Sequence, residues 1–254
     1  MTGKVYLVGA GPGAPDLITV RAANVLRRAN IVFYDALVHP ETLALAEQAV
    51  HVAVGKRSGR HSTAQRFINK RLIDAARKHD VVVRLKGGDP MLFGRAHEEL
   101  SALADAGVDS EVVPGVTAAL AASAEIGVSL TRRGVARSVA FLTPRVGVGE
   151  KPNEWARTAA SADTAVIYMG AGQADMIASA LLREGVSADT PVVVVENASL
   201  TQSRRFRLTL RELPAVTDLG LEGPATILLG DVYTEVAADV GERSAIAARL
   251  DRSA

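Results

Sequence analysis

Short apolar runs alternate along the first half of the chain with longer segments whose apolar residues recur at helical spacing. The runs predict buried β-strands at 5–8, 31–34, 50–54, 81–85 and 111–113. The longer segments predict helices at 15–28, 62–78 and 95–106. Because strands that alternate with helices are typical of a parallel sheet covered on both faces, this half is predicted to be an α/β domain.

The second half starts the same alternation again, after an alanine-rich helix predicted at 117–125. Strands are predicted at 139–142, 165–169, 192–195, 205–209 and 225–229, and helices at 153–161 and 174–183. Polar and apolar residues alternate through 205–209, which favours an antiparallel strand there. We therefore predict an N-terminal α/β domain over 1–115, a bridging segment over 116–137, a C-terminal α/β domain over 138–234 and a tail over 235–254.

The composition is that of a globular protein, since 48% of the 254 residues are hydrophobic and 22% are charged. A net charge of +1, from 29 basic and 28 acidic side chains, excludes a generally basic nucleic-acid coat protein. The chain has no cysteine, which excludes disulfides and thiolate catalysis, and the histidine spacing indicates no metal centre. Without a long apolar run or a signal peptide, we expect a cytoplasmic protein with no membrane or nucleic-acid partner.

Glycines, prolines and ionisable residues collect where the predicted strands end. In the first half these positions are 9–13, Asp35, 55–57, 87–90 and 114–115. In the second half they are 143–145, 169–170 and 196–197. Because ligands of open α/β sheets bind beyond the carboxyl ends of the strands, these positions are the candidate site.

Each of these positions also has an ordinary structural interpretation. Asp35 could cap the segment that follows it, and the basic pair Lys56 and Arg57 could be solvated. The segment 87–90 could be a simple turn, although its two glycines would also let a ligand lie against bare backbone N–H groups. The glycine loop at 9–13 leaves a nicotinamide-dependent oxidoreductase as an alternative, but it departs from the dinucleotide fingerprint.

Several of these motifs occur together in an order that resembles the tetrapyrrole methylase family, from residue 4 to about residue 232. In the first half the resemblance rests on 8–13, 34–38, 54–62, 83–95 and 112–118. In the second half it rests on 167–170, 191–197 and 224–225. The resemblance implies two α/β domains of the tetrapyrrole methylase type, with the active site in the interdomain cleft, and a homodimer.

Within that family the motifs are similar to those of enzymes that methylate uroporphyrinogen III at carbons C2 and C7. The resemblance therefore implies S-adenosylmethionine as methyl donor, S-adenosylhomocysteine as by-product, and precorrin-2 made through precorrin-1 for siroheme or cobalamin. By position, the cofactor contacts would be Pro12, Gly87, Gly88, Asp89, Leu92, Thr117, Ala118, Met169, Ala198 and Ala225. Asp35 and Lys56 would be the proton acceptor and donor.

The chemistry of these residue types fits the implied reaction. Attack by a pyrrole carbon on an activated methyl makes the ring system cationic, and the Asp35 carboxylate could stabilise that cation or take the proton lost later. Lys56 could donate a proton or only neutralise a substrate carboxylate, and the two roles stay open. Arginines suit a carboxylate-rich macrocycle, and the candidates for binding it are Arg57, Arg95, Arg132, Arg133 and Arg145.

The sequence departs from the family pattern at several places. Aspartate, histidine and glycine are usual where Ala14, Arg132 and Ala198 stand, and Thr-Gly-His is usual where 143–145 reads Thr-Pro-Arg. Proline fixes φ and removes a backbone donor, so this loop cannot copy the family's loop. Two alternatives therefore stay open: a methyltransferase for a later precorrin, and a catalytically idle tetrapyrrole-binding homologue.

Overall fold

The chain divides into two compact units, Met1–Ala118 and Ala119–Ala254. The computed structural model describes residues 2–55, 65–147 and 153–235. Within these residues each unit is built on its own five-stranded sheet. No helix in the same ranges is both long and apolar enough to cross a membrane.

The sheet of the N-terminal unit is entirely parallel, as the alternation of strands and helices predicted. Its strands are β1 Lys4–Gly9, β2 Ile31–Tyr34, β3 Val50–Ala53, β4 Val81–Lys86 and β5 Ser110–Val113. They lie in the order β3-β2-β4-β1-β5. The helices are α1 Val20–Arg27, α2 Pro40–Ala44, α3 Gln65–Ala76 and α4 Ala96–Asp105.

Helices cover both faces of this sheet, because successive side chains of a strand point to opposite faces. Val25 and Leu26 of α1 pack with Val83 of β4 on one face. Leu72 of α3 and Leu103 of α4 pack with Val82 of β4, among other residues, on the other. The β-strand alternation therefore gives the unit two cores, one on each side of the sheet.

The first helix begins later than the sequence predicted. A 3₁₀ turn occupies Pro15–Leu17, and α1 starts only after Thr19, whose side chain accepts a hydrogen bond from the N–H of Ala22 at 3.2 Å. Thr19 has an extended backbone, as N-cap residues have, so a single helix over 15–28 was wrong. The predicted start of the next helix, 62–64, lies outside the described residues.

The C-terminal unit holds a mixed sheet. Its strands are β6 Val139–Leu142, β7 Thr164–Tyr168, β8 Pro191–Glu196, β9 Arg204–Thr209 and β10 Ala225–Gly230. They lie in the order β6-β7-β10-β8-β9. The helices are α5 Ala118–Ile126, α6 Trp155–Ser161 and α7 Ala174–Arg183.

Strand directions decide which residues share an edge of this second sheet. β6 and β7 are parallel, whereas β10 runs antiparallel to both β7 and β8, and the antiparallel direction predicted for β9 is confirmed. Thr226 of β10 lies opposite Tyr168, and Ala225 lies opposite Glu196. The carboxyl ends of β6, β7 and β8 therefore share one edge with the amino end of β10.

The alanine-rich helix α5 belongs to the core of the C-terminal unit. Ala119 and Ala122 are fully buried and pack with Val166, Val193 and Leu228 of the sheet. Small side chains let a helix approach a sheet closely, which accounts for the run of alanines. The segment 116–137 thus contains an element that is packed into a core.

Candidate functional site

Glycines bring three strand-end loops of the N-terminal unit into backbone contact. A Cβ added to Gly9, at the end of β1, would lie 2.6 Å from the Cα of Gly115 and 2.7 Å from the carbonyl oxygen of Gly88. Gly88, in turn, donates its N–H to the carbonyl of Gly11 at 2.7 Å. Because no larger residue fits at this crossing, the loops after β1, β4 and β5 are held together by their main chains.

Asp89 fastens the same loops with its side chain. Its Oδ1 accepts the N–H of Met91 at 2.8 Å, and its Oδ2 accepts the N–H of Gly115 at 2.9 Å. The loop that follows has left-handed backbone at Phe93 and Arg95, with φ of 53° and 55°. Backbone of this kind is uncommon for residues other than glycine and clusters at functional sites.

Gly87 differs from Gly9 and Gly115 because the described residues leave the space beside its Cα largely unfilled. Among the described residues, an added Cβ would approach only the side chain of Leu37, at 3.3 Å from its Cβ. Gly87 is half-buried, and so are the other proposed cofactor contacts of this unit: Pro12, Gly88, Asp89, Leu92, Thr117 and Ala118. The glycine therefore leaves room that the fold itself does not fill.

A buried ion network lies behind this edge, and sequence reasoning missed most of it. The guanidinium of Arg84 pairs with Asp35 Oδ1 at 2.5 Å through Nη2 and with Glu99 Oε1 at 3.0 Å through Nε. The ammonium of Lys86 pairs with Glu99 Oε2 at 3.1 Å. Glu99 has no exposed surface, Arg84 and Lys86 are 4% and 5% exposed, and Asp35 is 29% exposed.

The charges of the network shift one another's protonation. Burial would lower the pKa of Arg84, but the Asp35 and Glu99 carboxylates outweigh it and raise the pKa above its ordinary value. Burial lowers the pKa of Lys86, and the positive charge of Arg84 lowers it further, against the opposing effect of Glu99. The two carboxylates thus hold Arg84 as a cation in an apolar interior.

The edge of the C-terminal sheet is shaped by residues that are not glycine. Met169 after β7 and Asn197 and Ser199 after β8 have left-handed backbone, with φ of 56°, 53° and 73°. The N–H of Asn197 donates to the carbonyl of Pro224 at 2.9 Å. The loop before β10 is thereby tied to the end of β8.

A buried carboxylate holds that loop. Glu196, 1% exposed, accepts the N–H groups of Glu222 and Gly223 at 2.6 and 2.7 Å through Oε1, and Nε of Arg204 at 2.6 Å through Oε2. Burial alone would raise the pKa of Glu196, but these hydrogen bonds outweigh it and lower the pKa below its ordinary value. The carboxylate is therefore held ionised under the segment that leads to Ala225.

Helix α5 holds the other side of the same edge. Glu125 accepts the N–H of Ser199 at 2.8 Å and the hydroxyl of Ser203. The N–H of Ala119 donates to the hydroxyl of Tyr168 at 3.1 Å. The predicted cofactor contacts Met169, Ala198 and Ala225 are thus placed together at one edge, with Met169 exposed, Ala198 buried and Ala225 half-buried.

The basic residues proposed for substrate binding are exposed wherever the structure describes them. Arg95 donates to both carboxylate oxygens of Glu98 at 2.6 and 2.8 Å, which lowers the pKa of Glu98. Arg132 pairs with Glu235 at 3.3 Å, while Arg133 and Arg145 lie exposed on their loops. Lys56 and Arg57 lie outside the described residues, so their roles stay predictions.

One feature of the sequence points to the two missed cations. Arg84 and Lys86 occupy alternate positions of an otherwise apolar strand at the centre of a sheet, which places two cations on one buried face. Buried cations need carboxylate partners, and Glu99 is the inward-facing acid of the next helix. Interpreted as a simple apolar run, the strand gives no sign of this requirement for partners.

The chain matches the family model for tetrapyrrole (corrin/porphyrin) methylases over residues 4–214. It is 44% identical to uroporphyrinogen-III C-methyltransferase of Pseudomonas aeruginosa over 239 residues, which are 93% of this chain and 96% of that protein. It is also 43% identical to siroheme synthase 3 of Aeromonas hydrophila over 91% of this chain. The chain spans about half the length of that synthase, 50% of it.

Solved structures give the same match. A crystal structure of uroporphyrin-III C-methyl transferase from Thermus thermophilus, complexed with S-adenyl homocysteine, is 42% identical with a TM-score of 0.80, covering 91% of this chain and 99% of that one. A cobalt precorrin-4 methyltransferase is 31% identical with a TM-score of 0.79, covering 90% and 95%. Both similarities extend over the two units of the chain.

Proposed function

Because the chain belongs to the tetrapyrrole methylase family, we propose that it methylates uroporphyrinogen III at C2 and C7 with S-adenosylmethionine as donor. The products would be precorrin-1 and then precorrin-2, for siroheme or cobalamin. The observation that carries this function is the 44% identity to the P. aeruginosa enzyme, since it extends over 96% of that protein. We do not propose the further activities of the longer siroheme synthases for this chain.

The residues of the N-terminal edge fit the proposed methyl donor. The donor supplies an activated methyl group on a sulfonium, which transfers to carbon without further activation. The chain has to hold that group in line and exclude water. The backbone around Gly87, where an added Cβ would meet only Leu37 among the residues the structure describes, leaves space for a ligand beside the main chain. The other proposed contacts of this unit lie at the same edge of its sheet, and Met169, Ala198 and Ala225 share an edge of the second.

Asp35 is the proposed proton acceptor, and its surroundings suit that role. Its carboxylate is partly exposed at the end of β2, and Arg84 anchors its Oδ1. A fixed carboxylate stabilises positive charge that develops on the attacked ring and takes the proton that the cationic macrocycle loses once the methylated carbon has become quaternary. Lys56 is the proposed donor or carboxylate partner, and both roles stay open.

Exposed arginines are proposed to bind the carboxylates of the macrocycle. Arg95, Arg132, Arg133 and Arg145 are exposed in the structure, as a group that meets a large polar substrate must be. A well-made charge-assisted contact contributes about 1.5–3 kcal/mol, so the loss of one arginine should weaken substrate binding without ending the chemistry. Glu98 and Glu235 already pair with two of these arginines and would have to yield to the substrate.

A methyltransferase for a later precorrin is the second candidate. It is favoured by the TM-score of 0.79 to the cobalt precorrin-4 methyltransferase, but the sequence identity to that enzyme is lower, at 31%. The idle homologue is favoured only by the Thr-Pro-Arg loop at 143–145, where Pro144 is buried and Arg145 exposed. Because the chain belongs to the tetrapyrrole methylase family, a nicotinamide-dependent oxidoreductase is no longer a candidate.

A product assay tests the proposed function. Purified protein is incubated anaerobically with uroporphyrinogen III and S-adenosylmethionine, and the products are oxidised and separated by mass and absorbance. We expect a dimethylated product with a sirohydrochlorin chromophore. Methylation of a later precorrin but not of uroporphyrinogen III would establish the second candidate, and S-adenosylmethionine binding without product would establish the idle homologue.

We also propose that the protein acts as a homodimer in the cytoplasm. The support is the family resemblance, and the monomer mass of 26.6 kDa sets the scale for a test. Light scattering on the eluted protein should give about twice that mass, and a monomer mass would reject the dimer.

A further inference from the structure

The network behind Asp35 carries an inference that rests on the proposed function. Two carboxylates and two cations are joined in the order Asp35, Arg84, Glu99 and Lys86. The formal charges cancel, and exposure rises from zero at Glu99 to 29% at Asp35. The network therefore connects a carboxylate that solvent does not reach to the proposed proton acceptor at the surface.

The guanidinium of Arg84 is held on three sides. Nε donates to Glu99 at 3.0 Å, and Nη1 donates to the carbonyls of Phe33 and Leu85 at 3.4 and 3.1 Å. Only Nη2 is directed to Asp35, at 2.5 Å. Because the guanidinium is planar and its Nε and Nη1 are already bound, Nη2 can hold its partner, Asp35, in only one direction.

Glu99 is itself fixed by more than Arg84. Gln65 donates to its Oε1 at 3.1 Å, and Lys86 donates to its Oε2 at 3.1 Å. Gln65 in turn donates to Asn69, which binds the carbonyl of Glu98. Both Glu99 oxygens are thus directed by helix α3 and strand β4, so the carboxylate presents Oε1 to Arg84 in one orientation.

This arrangement does more than stabilise the fold. Buried ion pairs are weak contributors to stability, because desolvation of the charges offsets their attraction. The three buried charged groups, two on β4 and one on α4, therefore need another reason, and each of them is linked to Asp35 through the network. The network binds Asp35 through its Oδ1 oxygen and not, among the described residues, through Oδ2.

We propose that Glu99, balanced by Lys86, is a positioning residue that acts on Asp35 through Arg84. Glu99 orients the guanidinium so that Nη2 fixes Oδ1 of Asp35. Lys86 balances the second negative charge, so that the cluster as a whole is neutral. Asp35 then presents one ionised oxygen in a single orientation to the ring that is methylated. No group of the network other than Asp35 touches the substrate.

A double-mutant cycle tests this proposal. Glu99→Gln keeps the shape of the side chain but removes its charge, and we expect kcat to fall about 10- to 100-fold while the Kd for S-adenosylmethionine changes less than about twofold. In an Asp35→Asn background, which already lacks the acceptor, Glu99→Gln should change kcat less than about twofold. A purely structural lesion would instead reduce kcat by the same factor in both backgrounds.

Leu103→Val is the matched control, because Leu103 is fully buried on the same helix, packs in an apolar cluster and carries no charge. Its effect on kcat should be small and equal in the two backgrounds. If Glu99→Gln does not fold, Arg84→Lys keeps the positive charge but loses the fork, and the same dependence on Asp35 is expected. Unchanged kcat, or equal losses in both backgrounds, would overturn the proposal.

A second readout does not need activity. The carboxyl carbon of Asp35, assigned in a 13C spectrum by its loss in Asp35→Asn, should shift in Glu99→Gln and stay in place in Leu103→Val. If the Asp35 signal shifts in Glu99→Gln but the wild type makes no methylated product, the proposed function is overturned and the positioning role is supported. If the wild type methylates uroporphyrinogen III but the Asp35 signal does not shift in Glu99→Gln, the positioning role alone is overturned.

Discussion

The two sheets hold the edges that carry the proposed cofactor contacts by different means. In the N-terminal unit, Gly9, Gly88 and Gly115 let three loops meet main chain to main chain, and a side chain on Gly9 or Gly115 would overlap backbone atoms. In the C-terminal unit, the buried carboxylate of Glu196 gathers the N–H groups of the loop before β10. One edge is held by close steric fit and the other by hydrogen bonds to a charge.

The difference follows from strand direction. The edge of a parallel sheet is formed by carboxyl ends alone, so its loops all leave the sheet at the same level and cross where side chains would collide. In the mixed sheet, β10 enters where β7 and β8 leave, and its preceding loop presents N–H groups beside the end of β8. Those donors need an acceptor, which Glu196 provides.

The comparison predicts the largest loss of stability at the crossing of the glycines. In Gly115→Ala the new Cβ would lie 2.9 Å from the Cα of Gly9 and closer still to the carbonyl of Gly88, so the loops must separate. We expect the free energy of unfolding to fall by about 3 kcal/mol. Urea denaturation followed by circular dichroism measures this change.

Gly172→Ala is the control for that substitution, since an added Cβ at Gly172 meets no described residue within 4 Å and its φ is not in the left-handed region. We expect its effect to stay within about 0.5 kcal/mol. Equal stabilities for the two variants would show that the backbone crossing does not hold this edge.

A smaller and pH-dependent loss is expected at the second edge. Glu196→Gln keeps the size of the side chain but loses the charge that accepts two N–H groups and Arg204, and should lower the free energy of unfolding by about 2 kcal/mol near neutral pH. Because the folded pKa of Glu196 lies below its ordinary value of 4.5, the stabilisation is present above that pH and is lost as the pH falls through the folded pKa.

The stabilities of wild type and Glu196→Gln should therefore converge in acid. Glu222→Gln is the control, because the side chain of Glu222 is exposed and only its N–H takes part in the interaction. Denaturation curves between neutral pH and about pH 3 measure both variants. A difference that stays constant over this range would reject the ionised carboxylate as the source of the stabilisation.

The same contrast explains what the sequence could predict. The glycines at 9, 88 and 115 can be read directly from the sequence. Apolar runs such as 5–8 and 81–85 predict the strands that precede these glycines, so the sequence predicts the loops of the first edge. The left-handed backbone of Met169 leaves no mark in residue type, and the antiparallel direction of β10 depends on pairing with distant strands. Ala225 was therefore assigned by resemblance alone.

The buried network was missed for a similar reason. A cation within an apolar strand is informative only when its partner is known, and Glu99 and Asp35 lie far from Arg84 along the chain. Local pattern could show that Arg84 and Lys86 share a face, but only the packing of α4 against β4 shows which acid meets them.

Apart from the controls, the smallest change in stability is expected at Gly87, and it separates fold from binding within a single loop. Within the described part of the chain, the Cβ of Gly87→Ala would meet only the Leu37 side chain, at 3.3 Å. Because Leu37 is exposed, it can move aside, and the cost should be below about 1 kcal/mol. If S-adenosylmethionine lies along this backbone, the same methyl group occupies its space, and calorimetry should show the affinity fall about tenfold. Adding Leu37→Ala should recover any lost stability but leave the affinity low, because the obstructed space belongs to the ligand. If Gly87→Ala binds S-adenosylmethionine as tightly as the wild type, the methyl donor does not lie beside Gly87. All glycines of the first edge would then be explained by backbone packing.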